Sequence, residues 1–263
     1  WVEHNPKEIW ETLLKLLNVI FTKVPSSHIA SIGITNQRET TVLWDKKTDK
    51  HLYNAIVWQC RRTKGECNRL IDNGLNEIIK NKTGLVIDSY FSATKIKWII
   101  DHIKKTKKIS SFSDIMFGTI DTWILWKLTG GSSYYTDHTN ASRTLLYNII
   151  NKDWDSELFN LFEIPKLNFP KIKNSVDYFG VTNIKEIKNQ INITGIAGDQ
   201  QSALYAQGGY NVGMTKCTYG TGCFILTNTG DDIVYSNKGL LSTITLNKQG
   251  APKYGIEGSV FIG

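Results

Sequence analysis

Short apolar runs alternate with amphipathic segments along most of the chain. Residues 29–35 and 191–198 are runs of the kind that form buried strands. Residues 61–82 and 92–104 instead place apolar side chains at helical spacing, the first with a break at Gly74. Because strands that alternate with helices indicate a layered fold, this alternation predicts the α/β class.

The pattern changes near residues 208–212. Beyond them, strand-like and turn-rich sequence continues to residue 263, and a Gly-Thr-Gly turn at 220–222 separates two strand-like runs. We therefore predict a first domain over residues 1–210 and the beginning of a second domain over 211–263. Residues 151–190, rich in lysine and asparagine, are expected to form loops and short helices.

Two helix starts carry capping signals. Asn5 is expected to cap the first helix, with Pro6 at its first position and Glu8 as the reciprocal carboxylate of a capping box. An apolar face of this helix is predicted from Ile9, Leu13, Leu16, Leu17 and Ile20. Asp121 is expected to cap a later helix that ends at Gly130-Gly131.

The charge and cysteine content argues against several functional classes. The chain has 31 Lys and Arg against 24 Asp and Glu, a net charge of +7, but the lysines are dispersed, which favours solvated helix faces over a nucleic-acid partner. No apolar stretch approaches the ~18 residues that would span a bilayer. The four cysteines form no C-x-x-C pair, so we expect reduced, buried thiols in a cytoplasmic protein and no metal site made of protein ligands.

Two polar clusters follow predicted strands. Asn36-Gln37-Arg38-Glu39 follows the run at 29–35, where the Arg38 guanidinium and the Glu39 carboxylate would suit a polyol, because ligands of open α/β sheets bind beyond the carboxyl ends of strands. The alternative is a structural ion pair at a turn. Asp199 and Gln200 follow the run at 191–198, and the carboxylate could accept a proton from a substrate hydroxyl. The alternative for Asp199 is an ordinary helix cap.

A third cluster and three aromatic residues add weaker signals. Gly220 and Thr221 lie in a turn that could form a phosphate-binding nest of backbone N–H groups, or a plain hairpin turn. Trp58, Tyr90 and Phe224 stand beside polar positions and could present flat apolar faces to the C–H groups of a sugar or polyol. The alternative for each ring is packing in the core.

Taken together, the motifs resemble those of the glycerol kinases, which belong to the FGGY carbohydrate kinases. The segments that carry the resemblance occur in family order and spacing: Trp1-Val2-Glu3-His4, residues 32–40, residues 54–62, Thr83-Gly84-Leu85, residues 90–98, residues 139–144, residues 195–201 and residues 218–222. The resemblance covers essentially the whole chain and implies an actin-like ATPase architecture, in which two ribonuclease-H-like domains enclose a cleft.

The resemblance also implies a role for each candidate residue. Arg38, Glu39, Tyr90, Asp199 and Gln200 would bind the hydroxyl groups of glycerol, with Asp199 as the general base that receives the proton. Trp58 and Phe224 would flank the carbon chain of glycerol. Gly220 and Thr221 would belong to the ATP phosphate site, with Mg²⁺ carried by the nucleotide. The implied partners are glycerol and ATP or ADP, with no nucleic acid and no membrane, and the complete protein would be a homo-oligomer.

Some features depart from the family pattern. The first phosphate-binding hairpin would precede Trp1 and the adenosine-binding glycines would follow Gly263, so we expect a chain truncated at both ends, with an incomplete second domain and an inactive fragment. Without the opening strands, the run at 29–35 is expected to lack a pairing partner. The stretch at 183–192, which matches a fructose-bisphosphate loop in bacterial members, contains no glycine or arginine, and this puts that regulatory site in doubt. Alternative functions are phosphorylation of a pentulose or gluconate, and a non-catalytic kinase-like protein.

Overall fold

The chain folds as a mixed α/β protein, which confirms the predicted class. A computed structural model describes residues 1–106, 111–219 and 222–261. In this part of the chain, helices α1 to α8 are Pro6–Lys23, Lys64–Asp72, Asn76–Thr83, Ser92–Thr106, Ile120–Leu128, His138–Ala141, Ser156–Leu161 and Asp199–Ala206. Strands β1 to β15 are Glu3–His4, Ser31–Asn36, Val42–Asp45, Ala55–Ile56, Ile115–Gly118, Tyr135–Asp137, Tyr147–Asn148, Asp153–Trp154, Lys171–Lys173, Val176–Val181, Asn192–Gly198, Thr215–Tyr219, Gly222–Gly230, Leu241–Leu246 and Pro252–Phe261.

Two parallel strands place the first two polar clusters at one edge of a sheet. Strand β11 pairs in parallel with β2 and antiparallel with β10, and the parallel pair ends with Gly198 opposite Asn36. The prediction that β2 would lack a pairing partner is therefore wrong. Its predicted burial is also only half right, because Ile32 and Ile34 pack on a core with α5, whereas Gly33 and Thr35 on the other face are exposed.

Helix α1 confirms the predicted cap and corrects the predicted face. The side-chain oxygen of Asn5 accepts a hydrogen bond from the Lys7 backbone N–H at 3.0 Å, and the side-chain nitrogen Nδ2 of Asn5 donates to Glu8 Oε1 at 3.1 Å. Leu16 and Ile20, however, keep 56% and 45% of their surface exposed, because they lie outside the part of the helix surface that packs on the core. The residues of α1 that pack on the core are Ile9, Trp10, Leu13 and Leu17.

Helix α5 begins at Ile120, two residues before the start that a cap at Asp121 implies, so the prediction that Asp121 caps it is wrong. Thr119 occupies the cap position, and Asp121 lies in the first turn with its side chain fully buried. The Asp121 carboxylate accepts hydrogen bonds from Thr119 Oγ1 at 2.5 Å and from Thr136 Oγ1 at 2.7 Å. Burial raises the pKa of Asp121 to about 6.

Two further predictions need correction. Residues 151–190 contain the strands β8, β9 and β10 as well as the short helix α7, because lysine-rich sequence can form strands whose alternate residues face a core. Cys60 and Cys67 are buried as predicted, but Cys217 is exposed and Cys223 is half-buried, since both lie on the hairpin of β12 and β13.

The final strands form a second sheet that packs on the first part of the chain. Strands β12 and β13 form the predicted antiparallel hairpin, and the full order is β12-β13-β15-β14. Ile244 and Tyr254 of this sheet are buried in one cluster with Tyr147 and Ile149. A division into two domains at 210/211 stays a prediction. No helix among the described residues combines the length and the apolar character needed to cross a bilayer.

Candidate active site

The ends of β2 and β11 bring Arg38 and Asp199 together. Arg38 Nε lies 3.6 Å from Asp199 Oδ1. Asp199 is the first residue of α8, where the helix dipole favours a negative charge, and its carboxylate also accepts the backbone N–H of Gln200 at 2.8 Å. The Asp199 side chain is 44% exposed, whereas that of Arg38 is 1% exposed. A carboxylate in this position can meet a ligand that enters from solvent.

Arg38 belongs to a cluster of four buried charges, which consists of Arg38, Glu39, Arg143 and Glu257. Arg38 donates from Nη1 and Nη2 to the two carboxylate oxygens of Glu257, at 2.6 and 2.7 Å. Arg143 donates from Nε to Glu39 at 2.7 Å and from Nη2 to Glu257 at 3.1 Å. Two cations therefore balance two carboxylates, which matters because an unpaired charge at this depth would be strongly destabilising.

The arginines decide the ionisation of Glu257. Burial raises the pKa of this carboxyl group, but Arg143 and Arg38 together outweigh burial and lower the pKa to about 2. Conversely, burial lowers the pKa of Arg38, and the nearby carboxylates of Glu257 and Glu39 raise it well above its usual range. The Arg38–Glu257 pair is therefore fully ionised at neutral pH.

Glu39 has an unusual backbone conformation that its neighbours stabilise. Its φ is +61°, a region that residues other than glycine seldom adopt. The Glu39 carbonyl accepts hydrogen bonds from Thr41 Oγ1 and Ser92 Oγ, both at 3.1 Å, and from Lys95 Nζ at 3.3 Å. Lys95 also donates to the Tyr90 carbonyl at 2.6 Å, and burial lowers the pKa of Lys95 to about 7. Lys95 thus holds the backbones of two predicted site residues.

Three aromatic rings form an apolar wall beside these charges. The Trp58 ring lies 5.6 Å from the Tyr90 ring and 6.1 Å from the Phe224 ring, with interplanar angles of 79° and 80°. The Arg143 guanidinium lies 5.6 Å from the centre of the Tyr90 ring, which links the wall to the buried charge cluster. The three rings therefore come together from separate segments of the chain, and their role in binding a substrate stays a prediction.

Gln200 lies against a buried lysine from the second sheet. Lys216 Nζ donates to the side-chain oxygen of Gln200 and, at 2.7 Å, to Thr218 Oγ1. Lys216 is 2% exposed, and burial lowers its pKa. The Gln200 side chain is therefore oriented by a contact between α8 and β12.

A cavity of about 620 Å³ adjoins the aromatic wall. Trp58, Tyr90 and Glu257 lie both in its lining and in the site, whereas Arg38 and Asp199 are outside the lining. The remaining lining residues are Gln59, Arg61, Val86, Asp88, Phe91, Gly239, Leu241 and Ser259. The cavity is open enough to give a small molecule access to the rings.

The structure thus brings the predicted substrate-binding residues together in two groups, the charges around Arg38 and the rings around Trp58. The predicted phosphate-site residues Gly220 and Thr221 lie outside the described residues. Four charged residues next to the site were not singled out from the sequence: Lys95, Arg143, Lys216 and Glu257. Glu257 has a detectable signal, because it is a lone carboxylate in the strand-like run at 254–262.

Comparison with known proteins shows that the chain is similar to carbohydrate kinases in sequence. A family model described as the N-terminal domain of the FGGY family of carbohydrate kinases matches residues 1–206. The glycerol kinase of Brevibacillus brevis is 49% identical over 264 residues, and that of Haemophilus influenzae strain PittGG is 50% identical over 265 residues; each match covers 100% of this chain and 53% of the relative. The chain therefore spans about half the length of the curated relatives it matches.

Solved structures agree with the sequence comparisons. The structure of Plasmodium falciparum glycerol kinase with ADP matches with a TM-score of 0.88 and 40% identity, over 98% of this chain and 53% of that protein. A xylulose kinase from Lactobacillus acidophilus matches with a TM-score of 0.84 over 99% of this chain and 52% of that protein, but at 20% identity it shows the fold alone.

Proposed function

The chain belongs to the FGGY family of carbohydrate kinases, and from this membership we propose that the full-length protein transfers a phosphoryl group from ATP to glycerol, giving sn-glycerol 3-phosphate. The observation that carries the proposal is the aromatic wall of Trp58, Tyr90 and Phe224 beside the charges of Arg38 and Asp199. Relatives that are about half identical to this chain and are named glycerol kinase support the choice of substrate. The chain has the actin-like α/β fold of the sugar kinases that it matches.

The chemistry of the pocket suits a short polyol. Glycerol carries one hydroxyl group on each of its three carbon atoms, so a site for it needs donors, acceptors and an apolar surface within a few ångströms. In this proposal, the carboxylates of Glu39 and Asp199 accept from the hydroxyl groups and Arg38 donates to them. Trp58 and Phe224 cover the C–H groups, and the water that they exclude cannot compete as an acceptor of the phosphoryl group.

Asp199 is the proposed general base. Its carboxylate is half-exposed at the start of α8, whereas those of Glu39 and Glu257 are buried in contact with arginines. As the new P–O bond forms, Asp199 would take the proton from the attacking hydroxyl group. Gln200, oriented by Lys216, would hold the same end of the substrate. Most of the catalysis would come from positioning and charge stabilisation, as in other phosphoryl transfers.

The hairpin of β12 and β13 is the proposed contact with the nucleotide phosphates. Backbone N–H groups at Gly220 and the hydroxyl groups of Thr218 and Thr221 are donors of the kind that bind phosphate oxygens. MgATP would supply the phosphoryl group. The described residues contain no group of three or more His, Cys, Asp or Glu side chains suited to a metal ion, so we assign none of them to Mg²⁺. A cytoplasmic location and a homo-oligomeric state stay predictions from the family resemblance.

A substrate panel on the full-length protein tests the proposed function. With MgATP, glycerol is expected to give glycerol 3-phosphate with a kcat/KM at least tenfold above that of xylulose or gluconate, because a pocket built around a short chain leaves the longer substrates misplaced. A coupled assay of ADP release, with the phosphorylated product identified by mass spectrometry, measures this. Turnover of xylulose or gluconate without turnover of glycerol would contradict the proposal. Binding of glycerol without turnover would favour a non-catalytic protein.

Gly198 gives a more local prediction, because it leaves room for Arg38. A methyl group at Gly198 would lie 2.7 Å from both Cγ and Cδ of Arg38 and 3.0 Å from Gln201 Oε1. The Arg38 stem is buried and cannot move aside freely, so Gly198→Ala is expected to raise the KM for glycerol by roughly tenfold, the size of effect that an overpacked site produces. Gly33→Ala on the neighbouring strand is the matched control, because a methyl group there would meet no atom within 4 Å. Equal KM values for the two variants would show that Arg38 does not contact the substrate as proposed.

A further inference from the structure

We propose that Glu257 is the positioning residue of the pocket: it holds both terminal nitrogens of Arg38, so that the Nε side of the guanidinium faces the substrate and Asp199 is left to act as a base. This inference rests on the proposed function, because it gives Arg38 and Asp199 the roles described above. Glu257 touches neither of the reacting groups in this scheme and acts through Arg38.

The hydrogen bonds of Arg38 divide its guanidinium into two sides. A guanidinium has five N–H donors, of which four are on the terminal nitrogens. Glu257 accepts from both terminal nitrogens at 2.6 and 2.7 Å, and Gln201 Oε1 accepts a further bond from Nη1 at 3.2 Å. Arg38 Nε instead lies 3.7 Å from Glu39 and 3.6 Å from Asp199, and both distances are too long for a direct hydrogen bond. A substrate hydroxyl group between them could bind to Nε and to a carboxylate at once.

The charges around Glu257 explain why its carboxylate is needed. Arg38 and Arg143 bind it directly, and Lys216 is a third cation close enough to stabilise its ionised form. Without the negative charge of Glu257, the buried cluster would hold two cations and the single carboxylate of Glu39. The nearest acidic group that could then balance Arg38 is Asp199. Arg38 would pair with Asp199 directly, and the base would be occupied.

Glu257 also reaches the site from a distant part of the chain. It lies on β15 in the second sheet, 219 residues from Arg38 and 114 residues from Arg143. The position of the second sheet therefore sets the orientation of a guanidinium that belongs to the first. Glu257 also lines the 620 Å³ cavity that adjoins the aromatic wall.

Glu257→Gln in the full-length protein tests this inference, because glutamine keeps the shape and removes the charge. We expect kcat/KM for glycerol to fall about 10- to 100-fold, the usual effect of losing a charge-assisted hydrogen bond, while the KM for MgATP changes less than twofold. Glu257→Asp restores the charge on a shorter side chain, so it is expected to recover at least half of the logarithmic loss. If the role of Glu257 were purely structural, Glu257→Gln would change the KM values for glycerol and MgATP alike, and restoring the charge in Glu257→Asp would not recover the activity.

Glu3→Gln is the matched control, because Glu3 also pairs with a buried arginine, Arg62, whose contacts lie outside the buried charge cluster. Its melting temperature is expected to fall without a change in the KM for glycerol. A Glu257→Gln variant with wild-type kcat/KM, or with equal changes in the KM values for glycerol and ATP, would overturn the inference. If Glu257→Gln does not fold, Glu257→Asp replaces it, and equal changes in its KM values for glycerol and ATP would overturn the inference. If the wild-type protein does not phosphorylate glycerol at all, the proposed function fails instead.

Discussion

Asp199→Asn in the full-length protein is expected to lower kcat for glycerol phosphorylation by roughly 10²–10⁴-fold, the usual effect of losing a general base. The structure gives the physical reason, because Asp199 is the half-exposed carboxylate of the site while those of Glu39 and Glu257 are buried against arginines. An asparagine amide cannot take the proton from the attacking hydroxyl group. Its oxygen can still accept hydrogen bonds, so the binding of glycerol should weaken much less than kcat.

Steady-state assays at saturating glycerol and MgATP measure kcat, and calorimetry with glycerol alone measures binding. Asp231→Asn is a suitable control, because Asp231 is 81% exposed and pairs with Lys253 on the far part of the second sheet. It should leave both quantities unchanged. A near-normal kcat in Asp199→Asn would remove Asp199 from the mechanism, and an equal loss of binding and kcat would assign it to substrate binding alone.

The strands that carry the site were predictable because their apolar runs are local sequence features. The apolar runs that became β2 and β11 were visible, and parallel strands must end at the same edge of a sheet. The family resemblance implied that Arg38 and Asp199 lie in one site, but the local pattern did not predict that β2 pairs with β11. The hairpin of β12 and β13 was also predictable, because glycines mark its turn.

The buried charged residues around the site were not predictable from local patterns. Arg143 and Glu257 contact each other across 114 residues, and nothing in either segment indicates that the partner charge is buried beside it. Lys95 lies within a helical pattern, where a lysine normally marks the solvated face, but here its amine is buried under the Glu39 and Tyr90 carbonyls. Such pairings depend on the tertiary fold, which determines the groups that surround the charged end of a long side chain.

The wrong predictions for α1 and α5 arise for the same reason, because tertiary packing decides which side chains are buried. The apolar periodicity of α1 was correct, but periodicity does not say which part of a face another element covers, and Leu16 and Ile20 remain exposed. Asp121 has the residue type of a cap, but a helix that starts at Ile120 turns its side chain into the core. There, hydroxyl groups of threonine replace the backbone N–H groups that a capping carboxylate would bind.

Arg38→Lys is expected to lower kcat/KM for glycerol by roughly 10²–10⁴-fold, although it keeps the positive charge. A lysine ammonium cannot reproduce the planar fork that binds both oxygens of Glu257 at 2.6 and 2.7 Å, and it has no Nε to face the substrate. The lost hydrogen bond from Nε to the substrate, at about 1.5–3 kcal/mol, and the misplacement of an ammonium that Glu257 no longer orients together account for that range. The buried Glu257 carboxylate would also lose part of its compensation, so the melting temperature should fall.

Arg69→Lys is the control for Arg38→Lys, because it removes an arginine–carboxylate pair at the surface instead of in the core. Arg69 also binds both oxygens of one carboxylate, that of Glu66, but through Nε and Nη2 at 3.0 and 2.6 Å, and on the surface, with 42% of its side chain exposed. Exposed pairs contribute little, so this control should change neither the melting temperature nor kcat/KM appreciably. Steady-state kinetics and thermal unfolding of the two variants give the comparison. If Arg38→Lys keeps the wild-type kcat/KM, the Nε side of Arg38 does not recognise the substrate, and the role assigned to Glu257 fails with it.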